Sequence, residues 1–347
     1  MLTPRIWQNL PSYGHPRPLT MPSTFVQEWQ HADLATFQTQ IAPRNQPAIL
    51  RGAVAHWPAV KLAQNGPEAL CQYLMKLDNG QGVDAILLAP QENGRLFYNA
   101  EMSGFNFARK SVSISSVIEQ MVRYSHFANP PTVAIQSALI SACLPGFLPQ
   151  HAMPLFAPEA AQKIAPRIWL GGQVVTPAHF DESENLACVV AGKRRFTLFP
   201  PEQVGNLYIG PLDFAPTPTP ISMVDLRQPD FVQFPRLHNA LEHAQIAELE
   251  AGDALYIPSL WWHHVESLAF FNVLVNYWWQ ETVPSTATPL ACMLHCLAHM
   301  QQLSPEMKRG WRALFDHYVF AANGDPAAHI PAHKRGILAT ASIAPEH

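Results

Sequence analysis

The chain has 347 residues, 48% of them hydrophobic and only 14% charged, with a formal net charge of −4. That length holds one large domain with appendages or two domains, and so apolar a chain supports a sizeable core and excludes extensive disorder. The weak net charge gives no electrostatic reason to expect a nucleic-acid partner, and charge this sparse predicts surface hidden against a second copy of the chain.

Proline is abundant, 33 residues spread along the chain, which predicts many extended connections. The five cysteines (Cys71, Cys143, Cys188, Cys292 and Cys296) form no disulfide-like framework. With an N-terminus that lacks a secretory pattern and no apolar run of membrane length, they predict a cytoplasmic protein that does not associate with membranes.

In chain order, residues 1–23 are Pro-rich and polar and predict an irregular arm. TFVQEWQHADLATFQTQIA (24–42) has helical spacing of apolar residues, and QPAILRGAV (46–54) a short strand. GPEALCQYLMKL (66–77) predicts a helix opened by glycine and proline. VDAILLAP (83–90) and GRLFYN (94–99) predict strands around a turn, and SISSVIEQMVRYSHF (113–127) a serine-capped helix. From about 131, short apolar β-branched runs alternate with Pro/Gly/Asn turns, which predicts an all-β barrel or sandwich core over 131–285. Residues 205–245 read as a long loop-like insertion. Two amphipathic helices follow over 286–321, and 322–347 reads as a loose tail. The predicted catalytic domain is therefore 24–285, with N-terminal helices and strands over 24–130.

Two stretches carry chemistry. TPAHFDESEN (176–185) places His179 and Asp181 two residues apart on a strand, so both project to one face. One imidazole and one carboxylate, completed by a second histidine, form the facial triad that marks non-haem Fe(II) oxygenases. GDALYIPSLWWHHVES (252–267) offers that histidine as His263 or His264, and alternation turns only one of the two inward.

These stretches, with FPP at 199–201 and VNYWW at 275–279, resemble the JmjC-like, cupin-type 2-oxoglutarate oxygenases. Within these, the resemblance points to the branch holding the asparaginyl hydroxylase of hypoxia-inducible factor and its bacterial relatives; QPAILRGAVAHWPA (46–59) is similar to that branch's entry segment. The resemblance implies a double-stranded β-helix (jelly-roll, cupin-like) barrel with flanking helices and a C-terminal helical segment. It implies Fe(II), 2-oxoglutarate and O2 as the reactants at the centre, and His179, Asp181 and His263 as metal ligands, leaving His264 outward. Arg194, where the named relatives carry lysine, matches the cation for the far carboxylate of 2-oxoglutarate. Thr176, Asn185 and Asn276 match polar residues of the cosubstrate pocket, and Gln136 and Trp278 match residues beside the substrate. Ala134 stands where relatives place a tyrosine, which predicts one hydrogen bond fewer to the cosubstrate. The resemblance also implies a homodimer through 286–320.

The expected activity is hydroxylation of a C–H bond in a protein side chain or small molecule. The alternatives are a non-catalytic, metal-binding cupin-like protein that takes a small oxoacid or a peptide, and a metal-dependent isomerase or hydrolase. Cys292, His295, Cys296 and His299 imitate a zinc cluster on one helix, but a single helix cannot wrap a tetrahedral ion with all four.

Overall fold

The computed structural model describes residues 24–280 and 288–340. The expected arm over 1–23 and the expected boundary at 285/286 lie outside these. The chain divides into two compact units, one within 1–281 and the other within 282–347.

The first unit is mainly β. Its strands are β1 (Thr24–Phe25), β2 (Gln27–Gln30), β3 (Ala48–Arg51), β4 (Val83–Leu88), β5 (Phe107–Val112), β6 (Thr132–Leu139), β7 (Arg167–Gly171), β8 (Val175–His179), β9 (Glu184–Ala191), β10 (Lys193–Phe199), β11 (Gln245–Glu250), β12 (Ala254–Ile257), β13 (Trp262–Ser267) and β14 (Asn272–Trp279). They form a five-stranded sheet in the order β1-β11-β10-β13-β8 and a nine-stranded sheet in the order β2-β3-β12-β9-β14-β7-β6-β4-β5. This is the jelly-roll architecture of the cupins.

Alternation along the strands assigns each face. Phe196 and Leu198 of β10 and Leu249 of β11 meet Ala187 and Val189 of β9, Leu255 of β12 and Leu274 of β14 in one apolar interior between the sheets. The intervening residues Cys188 and Val190 of β9 face the other way. There they pack with Leu70, Leu74, Val117, Ile118 and Met121 of the helices Pro67–Leu77 and Ile114–Tyr124. The nine-stranded sheet is thus buried on both sides, which is why its central strands read as nearly continuous apolar runs. A third apolar cluster lies on the outer face of the five-stranded sheet. In it Trp262 and Phe199 pack with Leu207, Val224 and Leu237 of the segment between β10 and β11.

The two predicted helices of this unit have the expected ends: Pro67 opens one, and the Ser113 hydroxyl accepts from the Ser116 N–H of the other. Two expectations fail. Residues 24–42 are not one helix, because Thr24–Phe25 pairs in parallel with Gln245–Ile246 and Gln27–Gln30 with Ala48–Arg51. Val26, between the two strands, fills the barrel interior, and helical turns start only after Asp33, which caps Thr36 N–H at 2.8 Å. The strand expected at 94–99 forms only isolated bridges, Arg95 with Val175 and Tyr98 with Phe105. β4 instead lies between β6 and β5, and the exposed sequence of β5, FARKSV, carries no apolar alternation.

The second unit contains the helices Pro289–Met300 and Pro305–Tyr318, each with a side-chain N-cap, Thr288 and Ser304. Short 3-10 turns follow at Ala332–Lys334 and Gly336–Thr340, where a loose tail was expected. Among the described residues no helix is long and apolar enough to cross a membrane.

Candidate metal centre and its cavity

β8 and β13 lie side by side, and His179 sits directly across from His263. Two residues further along β13, Val265 sits across from Thr176, three residues back along β8. The extra residue is a β-bulge at Pro177–Ala178. Proline is tolerated there because a bulge leaves a ladder N–H unused, and the bulge turns both Thr176 and His179 to the interior although they are three residues apart. β8 then ends, and Asp181 follows with its carbonyl held by Leu260 N–H at 2.9 Å.

The ligand atoms of His179, Asp181 and His263 all lie within 4.8 Å of one another, the one such group of three or more metal-binding side chains among the described residues. The histidine rings are 4.3 Å apart, and His263 Nε2 is 3.7 Å from Asp181 Oδ2. His179 Nδ1 lies 2.9 Å from the Pro177 carbonyl and His263 Nδ1 3.0 Å from the Trp261 carbonyl. A carbonyl only accepts, so each Nδ1 carries the proton and each Nε2 presents its lone pair to the gap. Burial, with the neighbouring His263 adding to it, holds His179 well below the usual imidazole range. Asp181 is oriented through one oxygen: its Oδ2 accepts from Asn185 Nδ2 at 3.1 Å and from Trp278 Nε1 at 2.9 Å. The carboxylate thus stays within reach of both imidazoles. This donor set fits a divalent metal that accepts both imidazole and carboxylate.

The triad opens into a cavity of about 560 Å³, within the range of small-molecule sites. Every pocket residue expected from the sequence lines it: Thr176, Asn185, Arg194 and Asn276 with the triad, and Gln136 and Trp278 as well. Arg194 is buried, and its Nε has no hydrogen-bond partner. Burial alone lowers its pKa to about 10. Its neighbour on the other face of β10, Arg195, is paired with Glu248 at 2.9 Å and Glu266 at 3.7 Å. The contrast leaves Arg194 as a buried cation awaiting an anion. Asn276 Nδ2 donates to Asn185 Oδ1 at 2.8 Å, which extends the Asp181–Asn185 chain inward, while Asn276 Oδ1 has no donor.

His264 points to the outer face, across from Thr197, where it is buried and its pKa falls to about 3 because charging it there would cost desolvation. Ala134 does not border the cavity. It packs with Ile86, Leu88, Leu96 and Val174, and its pairing with Ile86 and Gly171 puts it on the sheet face of the lining residues Asp84 and Trp169, where its methyl offers no hydrogen bond. Trp261 and Trp262 are both buried in apolar clusters, one on each face of the sheet. His238 stacks on Phe231 and His243 bonds to the Asn239 carbonyl, both away from the cavity lining.

The sequence reading missed several lining groups. Arg167 and Trp169 project into the cavity from β7; Arg167 Nη1 donates to the Ser137 carbonyl at 2.9 Å, and Trp169 Nε1 has no partner. Their i, i+2 spacing was visible, but not which face of β7 is inward. Pro216–Thr219 of the insertion form part of the wall.

Compared with known proteins, the chain matches the family described as the cupin-like domain over residues 34–285. It is 26% identical over 284 residues to the lysine-specific demethylase JMJ31 of Arabidopsis thaliana, an alignment covering 72% of this chain and 49% of that protein. It is 25% identical over 258 residues to Jumonji C domain-containing protein 5 of Drosophila melanogaster, covering 71% and 58%. A shorter stretch of 149 residues is 30% identical to human HSPB1-associated protein 1, covering 42% and 30%. The chain thus spans about half the length of the first two relatives, or less than a third for the last.

Proposed function

This chain belongs to the cupin-like, JmjC-type family, whose members are Fe(II)- and 2-oxoglutarate-dependent oxygenases; from that premise we propose that it is a dioxygenase that hydroxylates a C–H bond of a protein side chain or a small molecule. The observation that carries the reading is the convergence of His179, Asp181 and His263 beside a buried, unpaired Arg194 in one cavity.

His179 and His263 would hold iron through Nε2 and Asp181 through its carboxylate. The five-carbon diacid would lie inward, its far carboxylate on the Arg194 guanidinium, where a charge-assisted and two-pronged hydrogen bond offsets the cost of the buried cation. Thr176 presents a hydroxyl to the same end, and Asn185 and Asn276 border the chelating end. When bound, ferrous iron would activate O2, the oxidant, with 2-oxoglutarate supplying two electrons as it is converted to succinate and CO2 and the substrate C–H supplying the other two as it becomes C–OH. The protein's share is orientation and exclusion of water: Phe196, Val265 and Leu274 give the floor an apolar lining. Gln136 and Trp278 would face the substrate; Trp278 also holds Asp181, so it serves the metal as well as the mouth. No side-chain base is needed at the centre.

For the second unit the proposal is a homodimer through 286–320. Its support is the exposure of large apolar side chains on both helices, among them Met293, Leu297, Trp311, Leu314 and Tyr318. A cytoplasmic location is proposed from cysteine usage and from the five free thiols.

The test is anaerobic addition of Fe(II) and 2-oxoglutarate. A visible metal-to-ligand charge-transfer band and succinate formation under air are expected, and His179→Ala should abolish both. No band and no succinate would refute the oxygenase and leave a binding protein.

A further inference from the structure

β8, which carries His179, is the edge strand of the five-stranded sheet: one side pairs with β13, and the other meets only the bridge of Gly94–Leu96 to Val175 at its start, leaving the His179 end without a strand partner. The insertion after β10 occupies that open side. Residues 208–210 and 221–223 form a small antiparallel pair, with Gly210 N–H bonded to the Ile221 carbonyl and Met223 N–H to the Tyr208 carbonyl. From this pair, Ser222 N–H donates to the Ala178 carbonyl at 2.7 Å. Three residues earlier, the Thr219 hydroxyl donates to the Phe180 carbonyl at 2.5 Å. Ala178 and Phe180 flank His179 and precede Asp181. The open side of the His-x-Asp segment is therefore held at two carbonyls, one of them beyond the end of β8 where no ladder remains.

Thr219 is buried, and its own carbonyl accepts from the Thr217 hydroxyl at 2.6 Å. It thus terminates the short Pro216–Thr219 wall whose other surface lines the cavity. The far end of that wall is tied down too, with Arg109 Nη2 on the Pro216 carbonyl at 3.3 Å and Tyr98 on the Phe214 carbonyl at 2.7 Å.

We infer that Thr219 is a positioning residue for the metal centre: its hydroxyl fixes the Phe180 carbonyl, and through that peptide the carboxylate of Asp181, so that the cavity wall and the ligand strand move as one body. The inference rests on the reading of His179, Asp181 and His263 as metal ligands. Without the hydroxyl the Phe180 carbonyl loses this hydrogen bond, and the backbone hold on Asp181 is left to the Leu260 N–H on the following carbonyl, that of Asp181 itself. Removing such a supporting hydrogen bond costs a metal site on the order of ten-fold in affinity.

The experiment is a titration of the full chain with Co(II) alone, followed by its visible d–d absorption, which needs neither cosubstrate nor turnover. Thr219→Val keeps shape and removes the donor. It is expected to weaken Co(II) binding about ten-fold and to alter the band, while Thr219→Ser, which restores the hydroxyl, returns both to the values of the unaltered protein. Should Thr219→Val fail to fold by circular dichroism, Thr219→Ala carries the same expectation. Unchanged affinity and band in the variant without the hydroxyl overturn the inference, as does a serine variant as weak as valine, which would assign the effect to packing. If the unaltered protein takes up no Co(II), the metal reading itself falls and this inference with it.

Discussion

Replacing Arg194 by methionine should make the empty protein more stable while destroying its affinity for the oxoacid. Burial depresses the Arg194 pKa to about 10, and that drop corresponds to roughly 3 kcal/mol at about 1.36 kcal/mol per pH unit. The sign follows from the charge: at neutral pH the guanidinium is protonated both folded and unfolded, and its folded-state pKa is the lower one. The folded protein therefore carries the penalty throughout the accessible pH range, and no carboxylate near Arg194 offsets it. Methionine keeps the apolar stem against Phe196 and Leu274 and removes the charge. About 3 kcal/mol is an upper bound, since the variant forfeits hydrogen bonds to cavity water. For a domain of this size, a gain of 1–3 kcal/mol raises Tm by roughly 2–6 °C. Calorimetry with and without Mn(II) and 2-oxoglutarate is the assay. The unaltered protein should gain stability from the pair, about 2.7 kcal/mol at a hundred-fold excess over Kd, and the Arg194→Met variant should not. A variant that melts lower when empty and still responds to 2-oxoglutarate would refute the assignment of Arg194 as an unpaired anion receptor.

Three further outcomes are expected. Trp278→Phe keeps the ring and deletes the N–H on Asp181 Oδ2; Co(II) affinity should fall about ten-fold with little change in Tm. Glu266 is buried and its pKa is raised by burial against the partial relief of Arg195. A raised carboxylate stabilises the fold only while protonated and loses that contribution as pH rises through its folded value. Glu266→Gln should therefore raise Tm at pH 8 and change it little at pH 4, a pair of melting curves that decides the point. Paired charges at Trp311 and Leu314, as Trp311→Glu with Leu314→Glu, should convert a dimer to a monomer in a light-scattering measurement at micromolar concentration; an unaltered protein already monomeric would remove the dimer.

The sequence and the structure meet most closely where a residue's role depends on its own strand. Arg194 alternates with Arg195 and His263 with His264, so the period of two separates the members of each pair, and the resemblance picks the inward one; Asp181 stands two residues after His179, just past the end of β8. The reading weakens wherever a partner strand decides. Thr176 shares a face with His179 only because of the bulge at Pro177, and nothing local announces which strand supplies the opposing count. Residues 24–42 carry helical spacing, yet their first half is claimed by Gln245–Ile246 and by Ala48–Arg51, and pairing outweighs the local preference. Contacts between a side chain and a group far along the chain were wholly hidden. Trp278 reaches Asp181 across 97 positions and Thr219 reaches Phe180 across 39, and neither spacing follows from periodicity.

The cover on β8 also bears on solubility. A bare edge strand offers its unused amide and carbonyl groups to any passing chain, and natural sheets shield such edges by charge, bulge or overlying loop. Here the shield is the insertion and the bulge together. A shortened version of this protein that joined Leu207 directly to Val224 would lay that rim open and should precipitate by strand-to-strand stacking, even with its two apolar interiors untouched. Trimming loops to improve crystallisation should spare this one.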